Sequence, residues 1–141
     1  MSNARTRMTL VALCLALVTA VACGKGSPTS PSRNTAYSET LTGTVSAFGS
    51  TRHSLSIPKS GNLTLRLSWS DPVDLDLYLA NAGCTSLYPR SNCGIVAQSD
   101  ATGTSSETVA RTVSAGEQFS IWVDNFSVSR SATYTLTLTI P

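Results

Sequence analysis

Several things are scarce in this sequence of 141 residues, and each scarcity removes a class of function. Charged residues make up only 13% of the chain, with ten basic and eight acidic side chains in all. Arg5 and Arg7 fall in the N-terminal segment. The remainder carries eight of each sign, with none of the basic footprint that nucleic acid demands. There is one histidine, His53, too few for a zinc site of the usual donor set. No G-x-S-x-G elbow stands behind a His53-based hydrolase triad, so His53 reads as structural. Neither a glycine-rich phosphate loop nor a dinucleotide fingerprint is found. Glu, Lys and Ala are too few for a helical bundle, yet the chain is too apolar for a disordered tail. The longest apolar run, Leu10–Val18, has nine residues, whereas a transmembrane helix needs about 20.

What is present begins with that run. Arg5 and Arg7 precede it and small residues follow it, as in a secretory leader spanning residues 1–22. Ala20-Val21-Ala22-Cys23-Gly24 resembles a bacterial lipobox, with Ala20 where Leu is most frequent. The resemblance implies lipidation of Cys23, which would anchor the chain to a membrane. Ordinary cleavage after the A-x-A of Ala20–Ala22 is the alternative. Residues 23–37 are rich in Ser, Thr, Pro and Gly without apolar period, a tether ahead of a folded domain at 38–141. Gly24 after Cys23 implies sorting to the outer membrane or cell surface of the envelope. With Cys14 leaving in the leader and Cys23 taking the lipid, Cys84 and Cys93 remain. In an oxidising compartment they are expected to form a disulfide around a short loop.

From residue 38 the hydrophobic period is two. Leu63, Leu65, Leu67 and Trp69 alternate with polar residues. So do Phe119, Ile121 and Val123, and Tyr134, Leu136, Leu138 and Ile140. Further strands are expected at 39–45, 53–58, 74–81, 94–99 and 106–112, separated by turn signals such as Asp71-Pro72 and Ala115-Gly116. Eight short strands without a helix predict an all-β, two-sheet antiparallel sandwich, jelly-roll-like. Trp69 lies on a leucine face and is expected in the core.

The order of these elements resembles the bacterial pre-peptidase C-terminal domain, over roughly residues 38–140. The motifs are Gly43-Thr-Val45, Leu55-Ser-Ile-Pro58, Gly61-Asn-Leu-Thr-Leu-Arg-Leu67, Asp74-Leu-Asp-Leu-Tyr-Leu79, Glu107, Ala115-Gly116, Trp122-Val123 and Tyr134-Thr-Leu-Thr-Leu138. The resemblance implies an appendage of secreted proteases, although no peptidase is present in this chain, and the Cys84–Cys93 insertion departs from the family's pattern.

Three groups of residues are candidates for function. Asp71, Asp74 and Asp76 lie close together, and Asp74 and Asp76 share a strand face. They are candidate calcium ligands, as the resemblance to calcium-dependent collagen-binding modules implies, or else a solvated face whose acids pair or cap turns. Asp124-Asn125 reads as a turn. Tyr78 and Trp122 fall opposite the apolar faces of their strands, and Tyr88 lies inside the cysteine loop. Exposed, all three suit contact with sugar rings or a protein partner; for Tyr78 and Trp122 the alternative is cover by a neighbouring loop. The expectation is a non-catalytic module that recognises extracellular polysaccharide or a fibrous, collagen-like protein. The alternatives are a structural lipoprotein packed on envelope proteins, or an accessory or inhibitor of a separate protease.

Overall fold

The computed structural model describes residues 35–141; the leader, Cys23 and most of the tether lie outside the described residues. Eight strands run in order: β1 (Tyr37–Val45), β2 (Ser50–Ser56), β3 (Gly61–Trp69), β4 (Leu75–Asn81), β5 (Ile95–Ser99), β6 (Ser106–Val113), β7 (Gln118–Asn125) and β8 (Ala132–Ile140). All the expected strands form, most with ends within one or two residues of the alternating segments. β2 starts earlier, at Ser50, and ends before Ile57 and Pro58.

The strands make two antiparallel sheets of four. One has the order β1-β8-β3-β6, the other β2-β7-β4-β5. This interleaving of first with last, twice over, is jelly-roll topology. Its register follows from the alternation. Leu41 faces Leu136, Leu65 faces Leu138 and Leu67 faces Leu136, so that a one-residue slip would turn these leucines to solvent. Leu63, Leu65, Leu67, Leu75, Leu77, Leu79, Leu136 and Leu138 are all buried in the core between the sheets. Each such side chain contributes on the order of 1.5–3 kcal/mol by burial. Trp69 joins this core, its indole N–H donating to the Val73 carbonyl at 2.9 Å.

At one point β1 has to accommodate a ring. Tyr134 on β8 is buried, with its hydroxyl 2.7 Å from His53 Nε2, and it lies against Gly43. A Cβ at Gly43 would sit 2.4 Å from the Tyr134 hydroxyl and 2.6 Å from Cζ. Glycine is therefore required there to admit the ring. His53 has a structural role, and burial lowers its pKa.

The two sheets differ on their outer faces. On the β1-β8-β3-β6 sheet the outward positions are mostly Ser and Thr, exposed or half-buried. On the other sheet, β4 and β7 are buried on both faces. Residues 82–94 cause this difference. They leave Asn81, fold back over the outer face as a strap, and return to β5 through Gly94, whose φ of 59° suits glycine. Cys84 and Cys93 are joined. Leu87, at 1% exposure, packs with Tyr78, Ala80, Trp122 and both cysteines into a second, smaller core.

Strand direction sorts the connections between two ends. The β1–β2, β3–β4, β5–β6 and β7–β8 connections gather at one, hereafter the loop end. Tyr37 and Ile140, which pair with each other, lie at the opposite end.

Candidate binding site at the loop end

Asn125, the last residue of β7, holds two loop-end turns together. It is buried, and its side-chain amide donates to the carbonyls of Ser46 (3.1 Å) and Arg130 (2.8 Å). Its Oδ1 accepts from the Ser127 N–H at 2.9 Å, and its own N–H donates to Gly49 at 2.9 Å. A further bond, from the Phe48 N–H to the Ser127 carbonyl at 2.7 Å, joins the β1–β2 and β7–β8 turns directly. The bracket leaves apolar side chains outward: Phe48 is 75% exposed, Val128 81% and Phe126 42%. Phe48 also has a φ of 49°, a left-handed backbone that a bulky residue seldom adopts. A strained and exposed aromatic is the sort of outlier that function retains.

The strap supplies the third wall. Tyr88, about half exposed, donates its hydroxyl to Asp124 Oδ2. Arg90 lies 4.5 Å from the centroid of the Tyr78 ring and 5.5 Å from those of Tyr88 and Phe126. Its guanidinium is shared by two carboxylates, Asp124 at 3.5 Å and Asp76 at 4.0 Å. Between these groups lies a slot of about 280 Å³, lined by Phe48, Gly49, Ser50, Tyr88, Asp124, Asn125 and Phe126. Beneath the strap, Tyr78 donates to Asp76 Oδ2 at 2.6 Å. Burial pushes the Asp76 carboxyl up; the Tyr78 hydrogen bond opposes this, and the charges of Asp74, Asp100 and Asp124 add to it. Burial and the bond to Asp124 raise the Tyr88 hydroxyl, an effect that Arg90 opposes.

Of the contact residues expected from sequence, only Tyr88 is at the surface. Tyr78 and Trp122 do point away from the main core, but the strap covers them, leaving them 0% and 5% exposed. They support the site from below and are not available to a ligand. The proposed calcium ligands do not converge. Asp71 accepts from the backbone and hydroxyl of Thr133, at 2.9 and 3.3 Å, and Asp76 is committed to Tyr78. One oxygen of Asp74 is buried without a partner, yet among the described residues no three acidic, His or Cys groups gather as a metal site. The donor set does not fit a hard cation, which takes six to eight oxygens.

Phe48, Phe126, Val128, Arg90 and Asn125 escaped the sequence reading. Asp124-Asn125 did mark the turn that Asn125 organises. Nothing in a period-two pattern points to an aromatic set between strands.

No protein-family model matches the chain, and no curated protein matches it. Solved structures do. A pre-peptidase C-terminal domain of collagenase from Bacillus anthracis is 12% identical with a TM-score of 0.54, over 71% of this chain and 87% of that one. The chain has the fold of that domain. PliG, a periplasmic inhibitor of g-type lysozyme from Aeromonas hydrophila, matches at 14% identity and TM-score 0.52, covering 75% and 88% of the two chains. The Yersinia pseudotuberculosis-derived mitogen matches at 19% identity and TM-score 0.53, over 74% and 86%. At such identities these likenesses speak for the jelly-roll frame alone, and any function has to come from the chain's own residues.

Proposed function

We propose that this protein is a non-catalytic binding module whose contact surface is the loop end. The observation that carries the reading is Phe48: a left-handed, three-quarters-exposed aromatic, held beside Tyr88 and Phe126 by the Asn125 bracket. Aromatic side chains and Arg dominate the energetics of protein contacts, and here they sit on a frame stiffened by a disulfide and two packed cores. A closed disulfide supports a setting outside the cytoplasm, where such bridges persist. A lipid on Cys23 would hold the module at a membrane, with the loop end at the opposite end of the domain from Tyr37. No helix among the described residues is long and apolar enough to cross a bilayer.

The targets to test are insoluble polysaccharides, collagen and envelope proteins. Purified full chain is passed over each matrix, with calcium and again with EDTA. Retention on one matrix, lost in Phe48→Gly and unchanged by EDTA, is the expected result. Retention indifferent to Phe48 would move the contact surface elsewhere, and retention lost in EDTA would return calcium to the account.

A second reading draws on the likeness to a lysozyme inhibitor. In it, the loop end enters the cleft of an enzyme outside the cytoplasm. A lytic assay with g-type lysozyme tests it, since an inhibitor lowers the rate in proportion to its occupancy.

A further inference from the structure

The loop end is acidic as well as aromatic. Asp71, Asp74, Asp76, Asp100, Glu107 and Asp124, six of the chain's eight acidic residues, lie in its loops and at the adjoining strand ends. The basic residues of the same loops and of the strap's upper part are Arg90 and Arg130, and Arg130 does not line the slot. Arg90 is divided between Asp124 and Asp76, so this pair of carboxylates keeps one negative charge in excess. Asp124 is both a member of that pair and part of the slot lining.

We propose that the slot between Phe48, Tyr88 and Phe126 receives a cationic side chain, an ammonium on a flexible alkyl stem, presented by a protein partner. The proposal rests on the reading of the loop end as the contact surface and adds the chemistry of its ligand. Aromatic rings attract cations through their negative faces, and Tyr88 and Phe126 already attract one in Arg90. The rings bind the alkyl stem by apolar contact, while Asp124 supplies the countercharge at the slot's lining. A volume of about 280 Å³ admits one such side chain. A neutral sugar ring would leave the excess charge without a partner, so a protein with an exposed lysine fits better than a polysaccharide.

The test titrates the purified full chain with n-butylammonium chloride and, in parallel, with n-butanol, following the ring resonances of Phe48, Tyr88 and Phe126. The ammonium is expected to shift them saturably, and the alcohol far less. Asp124→Asn is expected to weaken the ammonium about tenfold. Because Asp124 also anchors the strap, Phe48→Gly serves as a second variant; it should lose the response with the fold intact. On resins, retention by polylysine but not by polyglutamate or cellulose is expected. Equal responses to ammonium and alcohol, or an ammonium response untouched by Asp124→Asn, would overturn the cation and leave the loop end as an apolar contact. No response to either probe, with matrix retention unchanged in Phe48→Gly, would overturn both. Retention by cellulose and not polylysine would favour a polysaccharide ligand instead.

Discussion

Replacing Cys84 and Cys93 together by serine should release the strap, and the structure indicates by how much. The bridge spans nine positions, for which the chain-entropy relation gives a loss of about 2.5 kcal/mol on removal. For a domain of this size, a loss of 1 kcal/mol lowers the melting temperature by roughly 4–8 °C, so a fall of some 10–20 °C is expected. The loss should not be evenly spread. Leu87 and Trp122 belong to the small outer core, whereas Trp69 belongs to the main one. Strap release should therefore expose Trp122 before Trp69. Two single-tryptophan chains, Trp122→Phe and Trp69→Phe, each with and without the bridge, separate these signals in fluorescence. Below the main transition, the emission of Trp122 should move to the red on loss of the bridge, while that of Trp69 should hold. Unchanged Trp122 emission and melting temperature would refute the reasoning. It would mean that Leu87 and the Tyr88 and Arg90 contacts with Asp124 hold the strap unaided.

Gly43→Ala should destabilise the domain by about 1–3 kcal/mol, read by urea unfolding, because the new methyl group overlaps Tyr134. Tyr134→Phe should not rescue it, since Cζ, at 2.6 Å from the new Cβ, overlaps it too. Asn125→Ala removes three side-chain hydrogen bonds from a buried bracket and should cost on the order of 2–3 kcal/mol, with the Phe48 and Phe126 resonances broadened. Asp76→Asn should raise the melting temperature at neutral pH. A carboxyl whose folded pKa is raised holds its proton longer in the folded chain than in the unfolded one, so its ionisation costs stability as pH rises through the folded pKa. The advantage of the variant should vanish at about pH 3, where Asp76 is protonated in both states. An advantage that persists there would assign the effect to packing.

Much of the frame was legible in the sequence because alternation and turn chemistry are local. Leu63–Trp69 and Tyr134–Ile140 declare both a strand and its inward face, and Asp71-Pro72 and Ala115-Gly116 declare where strands end. The cysteine count yielded the bridge. The contact residues were harder to read for a physical reason. Alternation reports which side chains oppose the core, but not whether something else covers them. Tyr78 and Trp122 were placed correctly, opposite the leucines of β4 and opposite Phe119, Ile121 and Val123 of β7, yet solvent hardly reaches either, because the strap packs Leu87 against them. In the same way, Asp71, Asp74 and Asp76 are neighbours in sequence, but Asp71 turns to Thr133 on β8 and Asp76 to its neighbour Tyr78. Phe48 and Phe126 come from two connections that the jelly roll brings to one end, and Tyr88 reaches them only because the strap, leaving β4 at the other end, folds back over the outer face.

The pairing of Tyr37 with Ile140 puts both ends of the folded chain on the side away from the aromatic slot. The nine residues of β1 set that separation at about 30 Å. The sandwich is thus its own standoff. A lipid, a bead, a fluorophore or a second protein can be joined at either terminus without shadowing Phe48, and two copies fused tail to tail would present their slots in opposite directions. Exchange of the β1–β2 and β7–β8 turns would then change the proposed contact surface and leave both ends of the folded chain untouched.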